Sequence, residues 1–266
     1  QAAQNAMQWA GTQRPAFGLV FSSQEFDASE VVNGIGSVLT NMPLWGFGTV
    51  APWSVDGEQS RSVVLALIMG SDLKVTINLY PNFAQDGLTV ARQMLRGMKA
   101  TNNAPQANAA LLAVDGVNGD VAYLADVFNE LNLRVAGGLA SGSYQSGKTF
   151  LTGGNQAASG SLSVLQLGGR LRLSVGYGHG WKAIGRRFQV SKARGLWVNA
   201  LDGASPVEAY ASLFGYPARQ WGFPPLNDLV RQYPLGIEKS VDNLSLQVCA
   251  PLRVEVDGRL RMSSPV

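Results

Sequence analysis

The residues able to do chemistry are few. The chain holds one histidine, His179, and one cysteine, Cys249, in 266 residues. One cysteine excludes an internal disulfide and a cysteine zinc cluster. One histidine excludes every site that needs two, including paired-histidine metalloproteases and facial-triad iron centres. No metal or cofactor is therefore expected. The remaining candidates are polar groups beside glycines. Leu44-Trp-Gly-Phe-Gly-Thr49 and Arg134-Val-Ala-Gly-Gly-Leu139 both read as strands that end on glycine. Glycine lets a ligand approach the backbone closely, and open α/β sheets bind ligands beyond the carboxyl ends of their strands. Gly46, Gly48, Thr49, Gly137, Gly138 and Ser141 are therefore candidate ligand-binding residues, with tight packing of the strand ends as the competing explanation. Neither stretch is a dinucleotide-binding fingerprint or a P-loop. His179, Trp181, Lys182 and Arg186 offer an imidazole, an aromatic wall and two cations, a set suited to an anionic small molecule such as a carboxylate. A surface hairpin with snorkelling basic side chains explains the same residues. Asp115 can accept a ligand ammonium, and an Asp-Gly turn explains it equally well. Asp202 carries the same two readings. Tyr144 and Lys148 can form a lid.

The elements that must position these groups repeat. Phe17–Phe21 reads as a strand, Asp27-Ala-Ser-Glu30 has capping-box spacing, and a helix is expected to about Thr40. The strand Leu44–Thr49 follows, then Arg61–Met69 and the alternating Leu73–Leu79 as a hairpin. From Ala109 the same order returns. A strand runs to Val114 and a helix from about Val121 to Leu131. The strand Arg134–Leu139 follows, then a second hairpin of Ser161–Leu167 and Arg170–Tyr177. Leu171, Leu173, Val175 and Tyr177 repeat Leu73, Val75, Ile77 and Leu79 with Leu171 placed 98 residues after Leu73. Phe83–Met98 reads as a helix between the units and Ala100–Asn108 as a polar linker. After the second unit, Phe188–Ala193 and Leu196–Leu201 flank a hairpin turn at Arg194-Gly195, and Ser205-Pro206 opens a helix to about Phe214. An aromatic loop with Tyr216, Trp221 and Phe223 follows. Leu244–Cys249, Leu252–Val256 and Arg259–Met262 end the chain as short strands, with Cys249 a buried strand residue.

The fold class expected is α/β with α+β mixed sheets: an internal repeat of strand-helix-strand-hairpin units, about 16–98 and 109–190, then a smaller β-rich portion. The domain division expected is 1–204 and 205–266. Charged residues are 15% of the chain, below the usual ~25%. Net charge is +3. The basic residues are scattered, with their densest runs at Lys182–Arg194 and Arg253–Arg261, and no helix-turn-helix accompanies them. No nucleic acid is expected as a partner. No apolar run reaches membrane-spanning length, so no membrane partner is expected and cytoplasmic residence is. The chain opens on Gln1 rather than Met, as a piece of a longer protein would.

Three patches carry a resemblance to a known family. Trp45-Gly-Phe-Gly-Thr-Val-Ala51 is similar to a Gly-Cys-x-Thr-x-Gly stretch. Val135-Ala-Gly-Gly-Leu-Ala140 is similar to Ile-Gly-Gly-x-Ala. Gly178-His-Gly-Trp-Lys-Ala-Ile-Gly185, with Gln189–Ala193, Leu201-Asp202-Gly203 and Pro206–Tyr210, is similar to Gly-Cys-x-Pro-Ile-Gly, Val-Thr-x-Ala, Leu-Asp-Gly and Pro-Ala-x-x-x-Tyr. In order and spacing these resemble the FIST family, the intracellular sensory domain of prokaryotic signalling proteins, also found in some eukaryotic F-box proteins. The resemblance implies an amino-terminal FIST portion holding both repeat units and a carboxy-terminal FIST portion. It implies sensing of small ligands, with amino acids and related small carboxylates proposed, and coupling to a signalling output domain or partner protein. The family's cysteines are absent at Phe47 and in the 179–182 stretch, so a thiol-dependent role is not implied here. Two alternatives stay open. One is an enzyme using His179 as acid–base, oriented by Asp115 or Asp202. The other is a protein-interaction module.

Overall fold

Strands and helices both form in the first half because apolar residues recur there at both periods. A computed structural model describes residues 1–100, 107–119, 121, 124, 127, 130, 133–142, 147–176, 178–215, 232–238, 246–263 and 266. The elements are α1 (Ala2–Ala10), β1 (Pro15–Ser23), α2 (Ala28–Gly36), β2 (Leu44–Thr49), β3 (Trp53–Ser54), β4 (Gly57–Glu58), β5 (Val63–Met69), β6 (Leu73–Tyr80), α3 (Gly87–Ala100), β7 (Ala107–Asp115) and β8 (Arg134–Ala140). They continue with β9 (Leu151–Gly154), β10 (Gln156–Ala158), β11 (Leu162–Gly169), β12 (Val190–Arg194), β13 (Trp197–Leu201), α4 (Pro206–Phe214), β14 (Leu235–Glu238), β15 (Leu246–Cys249), β16 (Pro251–Val254) and β17 (Leu260–Met262). The fold is mixed α+β, as expected. The chain forms two compact units, 1–176 and 177–266. Among the described residues no helix is long and apolar enough to cross a membrane.

The first unit is built from two sheets. One has the order β10-β9-β2-β1-β5 and the other β6-β11-β7-β8. β1 pairs with β2 in parallel and with β5 antiparallel. β7 does the same with β8 and β11. The repeat read in the sequence is thus present in the topology. Its closing bonds repeat too: Ser23 N donates to Ser62 O at 2.9 Å, and Asp115 N donates to Ser161 O at 3.1 Å.

Neither half forms the expected hairpin. β5 pairs with β1, whereas β6 crosses to the other sheet and pairs along its whole length with β11. β9, from the second half, crosses the opposite way to pair with β2. The three-residue turn Gly70–Asp72 therefore joins two sheets rather than two neighbouring strands. Residues 171–176 form no strand, so the fourth strand expected for the second unit is not observed. Its alternating pattern is real, but no described strand pairs with it.

Period-2 alternation sorts the side chains into layers. Phe17, Leu19 and Phe21 of β1 face the second sheet with Trp45, Leu111, Ala113, Leu151 and Leu165, while Val20 and Leu44 face α1 and α2 with Val31, Val32 and Ile35. On the far side, Ala110, Leu112, Leu162 and Val164 pack against Val90, Ala91, Met94 and Leu95 of α3. Leu124 and Val127, helical and buried, join this layer. They are described residues of the helix expected over 121–131. Each fully buried Leu or Phe contributes roughly 1.5–3 kcal/mol, so both the layer between the sheets and the layer under α3 hold the unit together.

Local chemistry starts and stops the helices. Asp27 caps α2 through Ser29 N and Glu30 N, as its spacing predicts. The helix stops at Gly36, short of Thr40. Asp86 accepts from Thr89 N at 3.0 Å and places the start of α3 at Gly87 rather than Phe83. In the second unit, the sheet β12-β13-β17-β16 packs against α4 around Val198, Tyr210, Cys249, Leu260 and Met262. The predicted β12–β13 hairpin is present, with Gly195 at φ 57° in its turn. Pro206 opens α4, but Ser205 makes no side-chain cap; its hydroxyl donates to Gly258 O at 3.4 Å.

Gly46 and Gly137 occupy equivalent places in β2 and β8. A Cβ on Gly46 would lie 1.7 Å from Val20 O, and one on Gly137 2.2 Å from Leu112 O. Gly34, in the interior of α2, has open space around it. Gly46→Ala should therefore lose about 3 kcal/mol in urea denaturation through overpacking against backbone, and Gly34→Ala should gain about 0.5–1 kcal/mol. Equal effects at both positions would contradict the assigned contacts.

Candidate functional site

The carboxyl ends of the two glycine-ended strands come together. Ser141, just past β8, donates its N–H to Gly48 O at 3.2 Å. Its hydroxyl accepts from Val50 N at 3.1 Å and lies 3.5 Å from Thr49 Oγ1. Gly48 N donates to Phe150 O at 2.9 Å. Phe47 lies 3.9 Å from where a Gly138 Cβ would sit. Gly48, Thr49, Gly138 and Ser141 thus share one corner of the first unit. Gly137, Gly138 and Leu139 are exposed on β8, which ends its sheet among the described strands. Val50 and Trp53, exposed large apolar side chains, follow β2. Gly46 and Gly137 differ from the others: their Cα faces neighbouring backbone, so their glycine identity serves strand packing.

Asp115 ends β7 close by, but its carboxylate is fully buried and fully used. Oδ1 accepts from Val117 N and Asn118 N, each at 3.0 Å. Oδ2 accepts from Gly160 N at 2.7 Å, from Asn118 Nδ2 at 2.9 Å and from Thr149 Oγ1. Burial would raise its pKa, but the hydrogen bonds from Thr149, Asn118 and Gly160 outweigh it and hold the carboxyl below the usual carboxylate value. The turn explanation of the Asp-Gly pair is part of this. The larger part is a clamp that ties the 147–149 and 160 segments to the end of β7.

The second unit holds the other candidates. His179 Nε2 lies 2.8 Å from Leu246 O, and its Nδ1 accepts from Trp181 N at 3.3 Å. No strand precedes it, contrary to the hairpin expected from the sequence, because residues 171–176 are unpaired and 178–189 carry no strand. Trp181 is 45% exposed and Lys182 is exposed. Arg186 donates to Asp202 Oδ2 at 2.6 Å and stacks over Phe188 at 4.9 Å. Asp202, at φ 50°, also accepts from Gln189 N at 2.8 Å. The Gln189 N–H and the Arg186 guanidinium hold its carboxyl below the usual value. The two candidate groups therefore belong to different compact units. Lys148 is exposed, and its expected partner Tyr144 lies outside the described residues, as do Tyr177 and the Tyr216, Trp221 and Phe223 loop. The linker expected over 100–108 lies mostly outside them as well.

Two clefts open on the first unit. One is lined by Arg14, Pro15, Met69, Ser71, Leu73 and Val75, the other by Ser29, Val32, Asn33, Leu79 and Asn155–Ala158. None of the candidate site residues lines either. No sequence signal marked them, because each forms where strands distant in sequence end beside one another.

The paired parallel strands and their glycine-ended tips define a duplicated α+β domain with a polar corner. The family comparison agrees: the FIST N domain matches residues 16–204, and the chain belongs to the FIST family. That family is associated with signal transduction and small-ligand sensing. No curated protein matches the chain.

The clamp on Asp115 has a measurable sign. A carboxyl held below its unfolded pKa of about 3.9 stabilises the fold above that value and loses the contribution as pH falls through the folded value. Asp115→Asn, which turns an N–H toward Gly160 N, Asn118 Nδ2 or Thr149, should cost about 3 kcal/mol at neutral pH. In urea titrations the gap between the two proteins should narrow below about pH 4, because only the native carboxylate is lost there. A gap constant down to about pH 2 would show that the charge of Asp115 is not what stabilises the fold.

Proposed function

We propose that this chain is a sensory domain that binds a small ligand at the carboxyl-end corner of β2 and β8 and does not convert it. The observation that carries this reading is the corner itself. Two parallel strand pairs from the two halves of a duplicated domain deliver hydroxyls, exposed glycine backbone and an exposed apolar side chain to one place. Thr49 and Ser141 supply hydroxyls, Gly138 leaves room for close approach, and the exposed Val50, whose N–H donates to the Ser141 hydroxyl, supplies apolar surface beside them. Such a mixture suits a small molecule with a polar head and an apolar part. An amino acid or related small carboxylate fits, with its carboxylate taking N–H and O–H donors. The FIST membership supports a signalling role. Cytoplasmic residence and a separate output domain or partner protein follow from that role as part of the proposal.

The catalytic alternative rests on His179. Both of its ring nitrogens are engaged by backbone groups of its own unit, which favours a structural role. The nearest carboxylate candidate in sequence, Asp202, is occupied by Arg186 and Gln189 N.

Calorimetry and thermal unfolding against a panel of amino acids and small carboxylates test the proposal. A ligand that binds only the folded state should stabilise by about 2.7 kcal/mol at a hundred times its Kd. Gly138→Val, whose new side chain meets ordinary space, and Ser141→Ala should each weaken binding at least about tenfold, or about 1.4 kcal/mol. His179→Ala should leave affinity unchanged. Loss of binding in His179→Ala alone would move the site to the second unit. Absence of any stabilising compound, or turnover of a bound one, would overturn the reading.

A further inference from the structure

The two halves of the first unit differ in the cover of one strand. β5 and β11 are equivalent, since Ala66 pairs with Leu19 as Leu165 pairs with Leu111, and Ile68 pairs with Phe17 as Leu167 pairs with Ala109. β11 lies between β7 and β6, and its residues Leu162–Gly168 are all buried. β5 has β1 on one side and no described strand on the other. Its residues are half-buried and Ala66 is exposed, although its partner Leu19 packs in the layer between the sheets. Leu165, at the same place in the other half, is 0% exposed. No described strand gives β5 the cover that β11 receives from β6.

The segment that repeats β6 is 171–176. Leu171, Leu173 and Val175 stand where β6 has Leu73, Val75 and Ile77. Leu171 already packs at the margin of the layer between the sheets. Beyond it the segment is unpaired, Val175 is 48% exposed, and Arg134 holds the Leu173 carbonyl through Nη1. Beside the end of β5, the cleft lined by Pro15, Ala16, Met69, Leu73 and Val75 stands open. A strand edge with no partner among the described strands, a cleft of mixed apolar and polar lining at its side and an unpaired alternating segment lie within one unit.

We propose that β5 is the docking edge for residues 171–176 of this same chain, which add to it as a sixth, antiparallel strand. The register follows from the other half. Ile77 pairs with Leu165 and Val75 with Leu167, so Val175 sits opposite Ala66 and Leu173 opposite Ile68. Leu171, Leu173 and Val175 then face the layer between the sheets and fill the cleft, while Arg172 and Ser174 face outward. Docking pairs N–H and C=O groups of an edge that has no partner among the described strands, and it releases the Arg134 contact to Leu173. The undocked and docked arrangements make the segment a strap whose position sets whether the cleft is open.

Paired cysteines read the register. In the full chain carrying Cys249→Ala, Ala66→Cys with Val175→Cys should form an intrachain disulfide at least about tenfold faster than Ala66→Cys with Arg172→Cys, because only directly opposed positions bring Cβ atoms within bonding reach. Equal rates for the two pairs would overturn the proposal. Covalent dimers in place of crosslinked monomer would overturn it in favour of a second copy as the occupant. Hydrogen exchange of the unaltered chain gives an independent reading should the cysteine variants not fold. Amides in 172–176 should exchange at least about tenfold slower than free peptide, and Arg134→Ala should slow them further. Exchange at the free-peptide rate in both proteins would also overturn it.

Discussion

The first unit depends on an exchange of strands between its halves. β6 leaves the first half to complete the sheet of the second, and β9 leaves the second half to extend the sheet of the first. Each sheet thus contains backbone hydrogen bonds that its own half cannot supply, and the buried layer is made from both. Ser163 ties the exchange further, donating to Thr152 O at 2.6 Å across from β11 to β9. The candidate site is a by-product of the same exchange. Because β9 lies beside β2, the chain entering it passes the tip of β2, which is why Phe150 accepts from Gly48 N and Ser141 reaches Gly48, Thr49 and Val50. The two glycine-ended tips belong to separate sheets, and these bonds bring them to one corner.

Equivalent positions in the halves carry unequal chemistry. Ser23 and Asp115 close the same strand at the same point of the repeat. Ser23 needs only one side-chain acceptor, for Ser62 N at 2.9 Å. Asp115 gathers five donors from three segments. The difference follows from what surrounds each. The second half brings 147–149 and 160 over the end of β7, and those segments present N–H and O–H groups that must be satisfied in a buried place. A hydroxyl has too few lone pairs for that task, whereas an ionised carboxylate has enough. The price of burying a charge is met by its hydrogen bonds, and the side chain is withdrawn from ligand chemistry as a result.

Much of this was legible in the sequence, and the failures share a cause. The strands read at 44–49, 61–69, 73–79, 188–193 and 196–201, the cap at Asp27 and the duplicated order follow from spacing and local turn chemistry, which act over a few residues. Pairing partners act over distance. Gly70–Asp72 and Gly168-Gly169 look like hairpin turns because a short glycine turn between two apolar runs usually is one, yet the first of them carries the chain from sheet to sheet. The alternation at 171–176 reports which side chains a strand there would bury, and says nothing about whether an edge is available. β9 and β10 escaped notice because Leu151–Ala158 is short and rich in small residues, and α1 because its apolar face is narrow.

The glycines show why residue type alone under-determines a site. Gly46, Gly48, Gly137 and Gly138 satisfy the same sequence criterion, yet their surroundings divide them. At Gly46 and Gly137 the missing Cβ makes room for a neighbouring carbonyl, so glycine is there for the sheet. At Gly138 the vacated space meets only Phe47 at ordinary contact distance, and the strand it belongs to is exposed. A glycine whose space is filled by its own protein cannot admit a ligand, whereas one whose space opens outward can. The candidate site at the corner of β2 and β8 is therefore Gly138, Thr49 and Ser141, with Gly46 and Gly137 as the backbone contacts that hold the two strands in place to present them.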